Sequence, residues 1–249
     1  MRLPAIALVT ICLLPIFAPP VPAQTWQKVQ ERQYLRIGVK DNTPPLGWRD
    51  QQGNWQGLEI DIARELAQEL LGDRNAVQFV PLSNRERISA LPQLDMVIAQ
   101  MTVTPNRQRL VDFSLPYYTD STIVIARRSL TRPDLKGILV LKGSTAIAVL
   151  QEQFPQLPTI GIDSYQQGIT ALSQNSHLGL AGDLTILSPW LQQHPDYHQL
   201  GGRLSFHPLA IALPKGLDSA ELRQRVRQAI NKWRSNGWLA QRHRVWGLP

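Results

Sequence analysis

Short apolar runs alternate along the chain with segments whose apolar residues recur at helical spacing. The first half predicts strands over residues 34–39, 77–80, 94–99 and 121–126, and helices over residues 58–71 and 85–91. The second half predicts strands over residues 137–141, 159–162, 177–181 and 206–213, and helices over residues 145–153, 164–174, 184–193, 219–235 and 238–246. This order predicts an α/β fold whose sheets are largely parallel.

Two polar stretches divide this alternation. One covers residues 127–133, and the other lies near Gly201 and Gly202. The segment between them, about seventy-five residues, has the usual size of a small domain. We therefore predict two α/β lobes joined by two crossing strands. The first lobe is discontinuous and covers residues 24–125 and 206–249, and the inserted second lobe covers residues 126–205.

The first 23 residues have the pattern of a signal peptide. Arg2 gives a short basic start, residues 5–18 form an apolar core, and Val21 and Ala23 are small enough for signal peptidase. The apolar core is short and interrupted by proline, which disfavours a membrane span. We predict export to the periplasm with cleavage after Ala23, and an uncleaved N-terminal anchor stays the alternative.

The composition excludes several kinds of chemistry. The single cysteine, Cys12, lies in the segment that cleavage would remove, so the mature chain would have no thiol. That excludes disulfides, thiolate metal sites and a cysteine nucleophile. His194 and His198 have helical spacing, but Pro195 between them disfavours a metal site. The sequence predicts no metal and no cofactor.

The net charge of +7 raises the question of a nucleic-acid partner. The basic residues are spread along the chain, and residues 242–244 form the strongest cluster. The sequence shows no stripe of alternating aromatic and basic residues of the kind that binds nucleic acid. We interpret the charge as a basic, solvated surface and predict no nucleic-acid partner.

The most specific chemical feature is the segment 100–118, QMTVTPNRQRLVDFSLPYY. Thr104 and Pro105 predict a helix N-cap and first helical residue just after a strand. Arg107 then lies in the first turn, where its guanidinium presents paired donors to a carboxylate, and Thr102 adds a hydroxyl beside it. On spacing alone, an ordinary surface arginine explains the pattern equally well.

Six segments, in this order, resemble the family 3 solute-binding proteins of amino-acid ABC importers. They are LRIGVKDNTPPLGW, GNWQGLEIDIARELAQEL, LDMVIAQMTVTPNRQRLVDFSLPYY, VLKGSTA, LAGD, and the closing IALPKG with ELRQRVRQAINKWRSNGWLAQRHRVW. The resemblance covers essentially the whole mature chain. It implies a type II periplasmic-binding-protein-like fold, in which two α/β lobes close over one L-amino acid. It also implies a membrane permease and an ATPase as separate partner chains.

The resemblance assigns roles to individual residues. Arg107 corresponds to the arginine that binds the ligand α-carboxylate, and Thr102 to the hydroxyl residue next to it. Gly143, Ser144 and Thr145 correspond to the second-lobe element that completes the carboxylate site. A helix N-terminus after a strand independently favours an anion there, although a plain helix cap explains the same residues.

Asp183 corresponds to the carboxylate that receives the ligand ammonium, although on its own it is equally typical of a helix N-cap. With Arg107 in one lobe and Asp183 in the other, both charges of an amino acid are paired only when the lobes close. This gives closure a physical cause.

The residues expected near the ligand side chain depart from the family. Lys40 and Thr43 stand where an acidic or small polar residue and an aromatic ring are usual, and Leu46 stands where Phe is common. Gln100 replaces a small residue, so it narrows the pocket or bonds to the ligand, and its backbone carbonyl is a further acceptor for the ammonium. Lys40 disfavours a cationic ligand, and a neutral polar or acidic amino acid is favoured.

Other polar and aromatic residues have weaker interpretations. Trp48 or Trp55 is a candidate for the missing ring, and a tryptophan that is exposed or packed in the core is the alternative. Glu59, Asp61 and Asp112 form no evident acid/base pair, so we interpret them as caps and surface charges.

Two other functions stay open. The same two-lobe fold occurs in periplasmic dehydratases acting on cyclic amino-acid precursors, which need a general acid beside the ligand. The sequence shows no second carboxylate motif near Arg107 or Asp183, so it favours a binding protein over an enzyme. The other alternative is a sensory module that presents its ligand to a separate membrane receptor.

Overall fold

The structure confirms the predicted alternation of strands and helices. It is a computed structural model that describes residues 25–248, so the predicted signal peptide and its cleavage after Ala23 lie outside the described residues. The helices are α1 (Thr25–Arg32), α2 (Leu58–Leu71), α3 (Glu86–Ser89), α4 (Pro105–Gln108), α5 (Ala146–Gln153), α6 (Tyr165–Gln174), α7 (Leu184–Gln193), α8 (Ala220–Ser235) and α9 (Trp238–Val245). The strands are β1 (Leu35–Val39), β2 (Asn42–Thr43), β3 (Gly47–Arg49), β4 (Trp55–Gln56), β5 (Val77–Pro81), β6 (Met96–Ile98), β7 (Asp112–Phe113), β8 (Tyr118–Arg127), β9 (Gly137–Leu141), β10 (Thr159–Ile162), β11 (Leu178–Asp183), β12 (Tyr197–Gln199), β13 (Ser205–Leu209) and β14 (Ala212–Leu213).

Several predicted elements begin and end where the structure places them, namely α2, α7, β9 and β10. The strand β8 is longer than its predicted range of 121–126. The hydrophobic pattern does not predict α1 or the short strands β2, β3, β4, β7 and β12. Strands of two or three residues contain too few apolar positions to show a period.

The first lobe is built on the sheet β5-β1-β6-β14-β7. Its strand β1 is parallel to β5 and β6, whereas β14 is antiparallel to its neighbours. The helix α2 ends as predicted at Gly72, which adopts a left-handed conformation with φ 79° and donates its N–H to the Gln68 carbonyl. The apolar faces of α1, α2 and α8 share one buried core with this sheet.

The second lobe is built on the sheet β10-β9-β11-β8-β12, to which β13 is added through β8. The strands β10, β9 and β11 are parallel, whereas β8, β12 and β13 are antiparallel. Alternate residues of these strands point to opposite faces, and helices cover both. On one face α5 packs against Val124, Ile138 and Val140, and on the other α6 and α7 pack against Ile123 and Leu139. The sheet is therefore mixed rather than largely parallel.

Two antiparallel strands, the long β8 and the shorter β13, connect the lobes. Their pairing runs from Thr122 with Ser205 to Tyr118 with Leu209. The prediction of one strand over residues 206–213 is wrong, because the chain leaves β13 at Leu209 and then joins the first-lobe sheet as β14. Both pieces are apolar, so hydrophobicity alone does not show that the chain changes sheets.

None of the helices within residues 25–248 combines the length and the apolar character that a membrane-spanning helix requires.

Candidate functional site

The two lobes face each other through the carboxyl edges of their sheets. In the first lobe, Val39 of β1 pairs with Ile98 of the parallel β6, so Lys40 and Gln100 follow at the same edge. In the second lobe, the parallel strands β9 and β11 place the turn after Leu141 and the end of β11 at one edge. Direct hydrogen bonds, described below, join these two edges.

Arg107 lies between the two lobes. The Thr104 side chain accepts a hydrogen bond of 3.3 Å from the Arg107 N–H, and Pro105 is the first residue of α4, which confirms the predicted N-cap. The Arg107 guanidinium donates to the Thr102 carbonyl at 3.0 Å and to the Gly143 carbonyl at 3.2 Å. It is the carbonyl of Thr102, and not its hydroxyl, that fixes the arginine. Burial lowers the pKa of Arg107, and nearby Asp183 opposes this effect.

Asp183 lies opposite, at the end of β11. Its Oδ2 accepts hydrogen bonds from the Tyr165 hydroxyl at 3.2 Å and from Gln100 Nε2 at 3.3 Å. A carboxylate can only accept, so the amide nitrogen of Gln100 must face it. Asp183 precedes α7, yet its side chain makes no capping bond to that helix. Burial, followed by repulsion from Asp120, raises the pKa of Asp183 to about 7.

Tyr165, which the sequence analysis missed, orients Asp183. Its hydroxyl accepts a 3.0 Å hydrogen bond from the Asp183 N–H while donating to Oδ2. Burial raises the pKa of Tyr165, and repulsion from Asp183 adds to the rise, so the hydroxyl stays neutral and able to donate. A Cβ at Gly182 would lie 2.4 Å from the Tyr165 ring. The Gly182 hydrogen therefore leaves the space in which the tyrosine ring packs.

If Asp183 receives the ligand ammonium, as the family resemblance implies, Gly182→Ala should displace the Tyr165 ring and weaken amino-acid binding about tenfold, because Asp183 loses the donor that orients it. Calorimetric titration measures the affinity. Tyr165→Phe should reproduce the loss without the steric clash. The matched control is Gly202→Ala, since no atom lies within 4 Å of the added Cβ at that position. Unchanged affinity in a folded Tyr165→Phe variant would contradict this role.

Gln100 has an unusual backbone conformation that two buried charged residues hold. Its φ is 51°, in the left-handed region that few non-glycine residues adopt. The Gln100 N–H donates to Glu59 Oε1 at 2.7 Å, and the Gln100 carbonyl accepts from Arg87 Nη1 at 2.7 Å. This conformation directs the Gln100 side chain to Asp183.

Glu59 is fully buried, so its interpretation as a cap or a surface charge is wrong. The Tyr117 hydroxyl also donates to its Oε1, at 2.5 Å. Burial raises the pKa of Glu59, and hydrogen bonds from Tyr117 and Gln100 oppose the rise. Glu59 lies four residues before Ala63 and seven before Leu66, both buried, so helical spacing alone places it on the buried face of α2.

Asp61 and Asp112 also differ from simple surface charges, because each has a partner on the C-terminal helices. Asp61 accepts a 2.9 Å hydrogen bond from Trp246 Nε1, and Asp112 lies 3.1 Å from Arg223 Nη1.

Arg87 is a buried arginine to which the sequence gives no clue. It donates to the carbonyls of Ala99 at 2.7 Å, Asn84 at 3.2 Å and Gly143 at 3.4 Å. Burial, followed by repulsion from Arg107, lowers the pKa of Arg87 to about 10. Because Arg87 also binds the Gln100 carbonyl, that oxygen already contacts a cation. The Gln100 carbonyl is therefore a poor acceptor for the ligand ammonium, contrary to the expectation from the sequence.

Lys40 and Thr43 are both buried in the first lobe. Lys40 Nζ donates to the Leu82 carbonyl at 3.1 Å. Burial lowers the pKa of Lys40, and repulsion from Arg87 adds to the effect. The Thr43 hydroxyl donates to Asn42 Oδ1 within the small sheet β2-β3-β4.

Ser144 and Thr145 form the turn that precedes α5. The Ser144 N–H donates to the Leu141 carbonyl at 3.1 Å, so the turn itself uses this amide. The Ser144 hydroxyl is buried and has no hydrogen-bond partner among residues 25–248. Thr145 is the N-cap residue of α5, but its side chain makes no capping bond. A plain helix cap therefore does not account for these two hydroxyl groups.

Trp48 and Trp55 pack against other aromatic rings of the first lobe. Trp48 meets Trp246 edge-to-face with ring centroids 5.2 Å apart, and Trp55 lies 5.3 Å from Phe79. These contacts favour packing over a direct role for either ring in ligand binding.

A cleft of about 970 Å³ opens between the lobes beside Tyr165, which contacts Asp183. It is lined by Pro44 and Trp246 of the first lobe and by Tyr165, Thr185 and Trp190 of the second. Tyr165 is thus shared between the cleft and the Asp183 contact. Within the described chain, no group of three or more His, Cys, Asp or Glu residues is arranged to hold a metal ion.

Two α/β lobes joined by crossing strands, with opposite charges brought together at their facing edges, define a two-lobe solute-binding protein. The chain belongs to the bacterial extracellular solute-binding proteins, family 3, and the model of this family matches residues 35–249.

Relatives of known name agree with this family. The chain is 26% identical over 231 residues to the ABC transporter glutamine-binding protein GlnH of Bacillus subtilis (strain 168), covering 89% of this chain and 84% of the relative. It is 31% identical over 176 residues to the ABC transporter arginine-binding protein 1 of Escherichia coli (strain K12), covering 67% and 69%. The crystal structure of the cysteine-binding protein from Campylobacter jejuni has a TM-score of 0.80 and 31% identity, covering 90% and 92%. All three are named as binding proteins.

Proposed function

We propose that this protein captures one L-amino acid between its lobes and delivers it to the permease of an ABC importer. The observation that carries the proposal is that a cation and a carboxylate from opposite lobes each bond to the other lobe. Arg107 of the first lobe donates to the Gly143 carbonyl of the second, and Asp183 of the second lobe accepts from Gln100 of the first. Arg107 binds the α-carboxylate and Asp183 binds the ammonium. A zwitterion then pairs both charges only when the lobes are together.

The neighbouring residues complete the site in this proposal. The buried Ser144 hydroxyl, which has no partner in the described chain, and the Thr145 hydroxyl contribute donors to the carboxylate. Thr102 holds Arg107 in place through its carbonyl. Gln100 occupies one oxygen of Asp183. Thr43, which is buried and bonds to Asn42, belongs to the first-lobe wall of the proposed site.

The ligand is a neutral polar or acidic amino acid. Relatives that bind glutamine and cysteine support this class, whereas the arginine-binding relative raises the alternative of a cationic ligand. Lys40 opposes a cationic side chain, because it is a buried cation at the same sheet edge as Gln100.

The proposal includes the cellular setting. The protein is exported to the periplasm and loses its signal peptide after Ala23, and the permease and ATPase are separate chains. The extracellular character of the family and the transporter names of the relatives support this setting.

A thermal-shift screen of the mature protein against the L-amino acids tests the function. A ligand that binds only the folded protein raises the free energy of unfolding by RT ln(1 + [L]/Kd). The melting temperature rises accordingly. We expect a marked shift with one or a few amino acids. A flat response to all of them would overturn the proposal.

We expect the affinity to fall as the pH falls below about 7, because the ammonium needs an ionised Asp183 and the pKa of this carboxyl is raised to about 7. Each pH unit below that value costs up to about tenfold in affinity. Calorimetry at pH 8 and pH 6, in buffers of different ionisation enthalpy, should show a proton released on binding at pH 6 alone. Equal affinities at the two pH values would contradict the role of Asp183.

A further inference from the structure

The site contains two buried cations whose donors are only partly used. Lys40 Nζ makes one hydrogen bond within the described chain, to the Leu82 carbonyl. Among residues 25–248, Arg87 Nη2 makes only the long 3.4 Å contact with the Gly143 carbonyl. Neither side chain can accept a hydrogen bond. A ligand group that meets them must therefore supply acceptors.

These cations lie at the edge of the first lobe that faces the second. Lys40 directly follows β1, and Leu82, its acceptor, directly follows the neighbouring parallel strand β5. Arg87 binds Gln100, which in turn contacts Asp183. Lys40 and Arg87 are thus on the first-lobe side of the same site that holds the backbone charges of the ligand.

The charges of the cluster are unequal. Lys40, Arg87 and Arg107 supply three positive charges, and Glu59 and Asp183 supply two negative charges at most, so at least one positive charge is left over. Burial raises the pKa of both carboxyl groups, and protonation of either one increases the excess. Burial also lowers the pKa of the three cations, and this acts in the opposite direction.

Other charged groups do not remove this excess. Asp120, on the second-lobe side of Asp183, already accepts hydrogen bonds from the Ser121 and Thr185 N–H groups through its Oδ1. Asp41 and Glu86 act on Lys40 but lie toward solvent, where water screens them. A zwitterion with a neutral side chain leaves the positive charge uncompensated, and a side-chain carboxylate compensates it.

Building on the proposed amino-acid site, we propose that the ligand is an acidic amino acid whose side-chain carboxylate is received by Lys40, with Arg87 stabilising its charge. Because Lys40 and Arg87 can only donate hydrogen bonds, they should favour an acidic side chain over the corresponding amide. The amide of glutamine or asparagine has the same shape as the acid, but its NH₂ group finds no acceptor on Lys40 or Arg87 and stays unpaired.

The test compares isosteric ligands by calorimetry on the mature protein, namely glutamate with glutamine and aspartate with asparagine. We expect at least one acid to bind about tenfold or more tightly than its amide. If any of the four binds and neither acid binds more tightly than its amide, the inference is overturned. Binding of other amino acids but none of these four would overturn it and leave the proposed function intact, whereas no binding of any amino acid would overturn both.

A substitution then tests Lys40 itself. Lys40→Gln keeps a donor for the Leu82 carbonyl and adds an acceptor, so we expect the preference for acid over amide to fall about tenfold. The matched control is Lys232→Gln, since Lys232 is exposed and pairs with Glu69 on the surface. A folded Lys40→Gln protein that keeps the wild-type preference would overturn the role of Lys40. If this variant does not fold, the comparison of ligands on the wild-type protein still decides the ligand class.

Discussion

Arg107→Ala is expected to abolish measurable amino-acid binding while the protein stays folded. The Arg107 guanidinium reaches from the first lobe to the Gly143 carbonyl of the second, and in our proposal the ligand α-carboxylate joins it there. Without the arginine, a carboxylate in this partly buried site has lost its charged partner. Breaking a buried pair in this way typically costs about 3–5 kcal/mol, which is roughly a hundredfold or more in affinity.

Calorimetric titration measures this loss, and circular dichroism checks the fold. Arg109→Ala is the matched control, because Arg109 lies two residues further along the chain and is exposed. Since Thr104 caps α4 through the backbone N–H of residue 107, the substitution keeps the cap. A folded Arg107→Ala protein that binds with wild-type affinity would show that Arg107 is a structural link between the lobes and not the carboxylate receptor.

Asp183→Asn is expected to remove binding and, at the same time, to stabilise the protein. The asparagine keeps the shape of the side chain but cannot pair with an ammonium charge. It also removes a buried charge whose pKa is raised to about 7, mainly by burial. The same residue that binds the ligand therefore lowers the stability of the free protein at neutral pH.

The sign of the pH effect follows from linkage. An unfolded aspartate titrates near pH 3.9, about three units below the folded value, so the folded protein binds more protons between these two pH values. The free energy of unfolding therefore falls as the pH rises through this window, by up to about 1.4 kcal/mol per pH unit.

Asp183→Asn removes this dependence, so its stabilising effect should be larger at pH 8 than at pH 5. Differential scanning calorimetry at the two pH values measures it. Asp163→Asn is the control, because Asp163 is exposed and pairs with Lys142 on the surface. If Asp183→Asn binds like the wild type, or is less stable than the wild type at pH 8, the role assigned to Asp183 is wrong.

The sequence predicts the elements of the fold better than the way they connect. Helices such as α2 and α7 have enough apolar positions to show their period, and their ends carry recognisable signals such as Gly72. The division of the run 206–213 between two sheets has no such signal, because residues buried in either sheet are equally apolar. Short strands such as β2 and β12 form through tertiary pairing and leave little pattern in the sequence.

In the candidate site too, residues with a local sequence signal could be predicted, whereas residues placed by distant contacts could not. Thr104, Pro105 and Arg107 could be placed because a cap and a first turn are local features. Glu59 was misinterpreted, although its spacing to the buried Ala63 was visible in the sequence. Arg87 left no signal at all, because its burial depends on the Gln100 and Gly143 carbonyls, which distant parts of the chain supply.

Gln100, which stands where the family usually has a small residue, contacts the carboxylate of Asp183. Its amide already occupies Asp183 Oδ2 together with the Tyr165 hydroxyl. The other carboxylate oxygen, Oδ1, has no donor among residues 25–248. In the proposed site, Oδ1 is therefore the atom that the ligand ammonium meets.

Calorimetric titration of the mature protein with the best amino acid from the thermal-shift screen and with two analogues tests the central claim most directly. One analogue lacks the α-carboxylate and the other lacks the ammonium. If each lobe binds one of these charges, both analogues should lose about a hundredfold or more in affinity. Binding of either analogue with an affinity close to that of the intact amino acid would contradict the account.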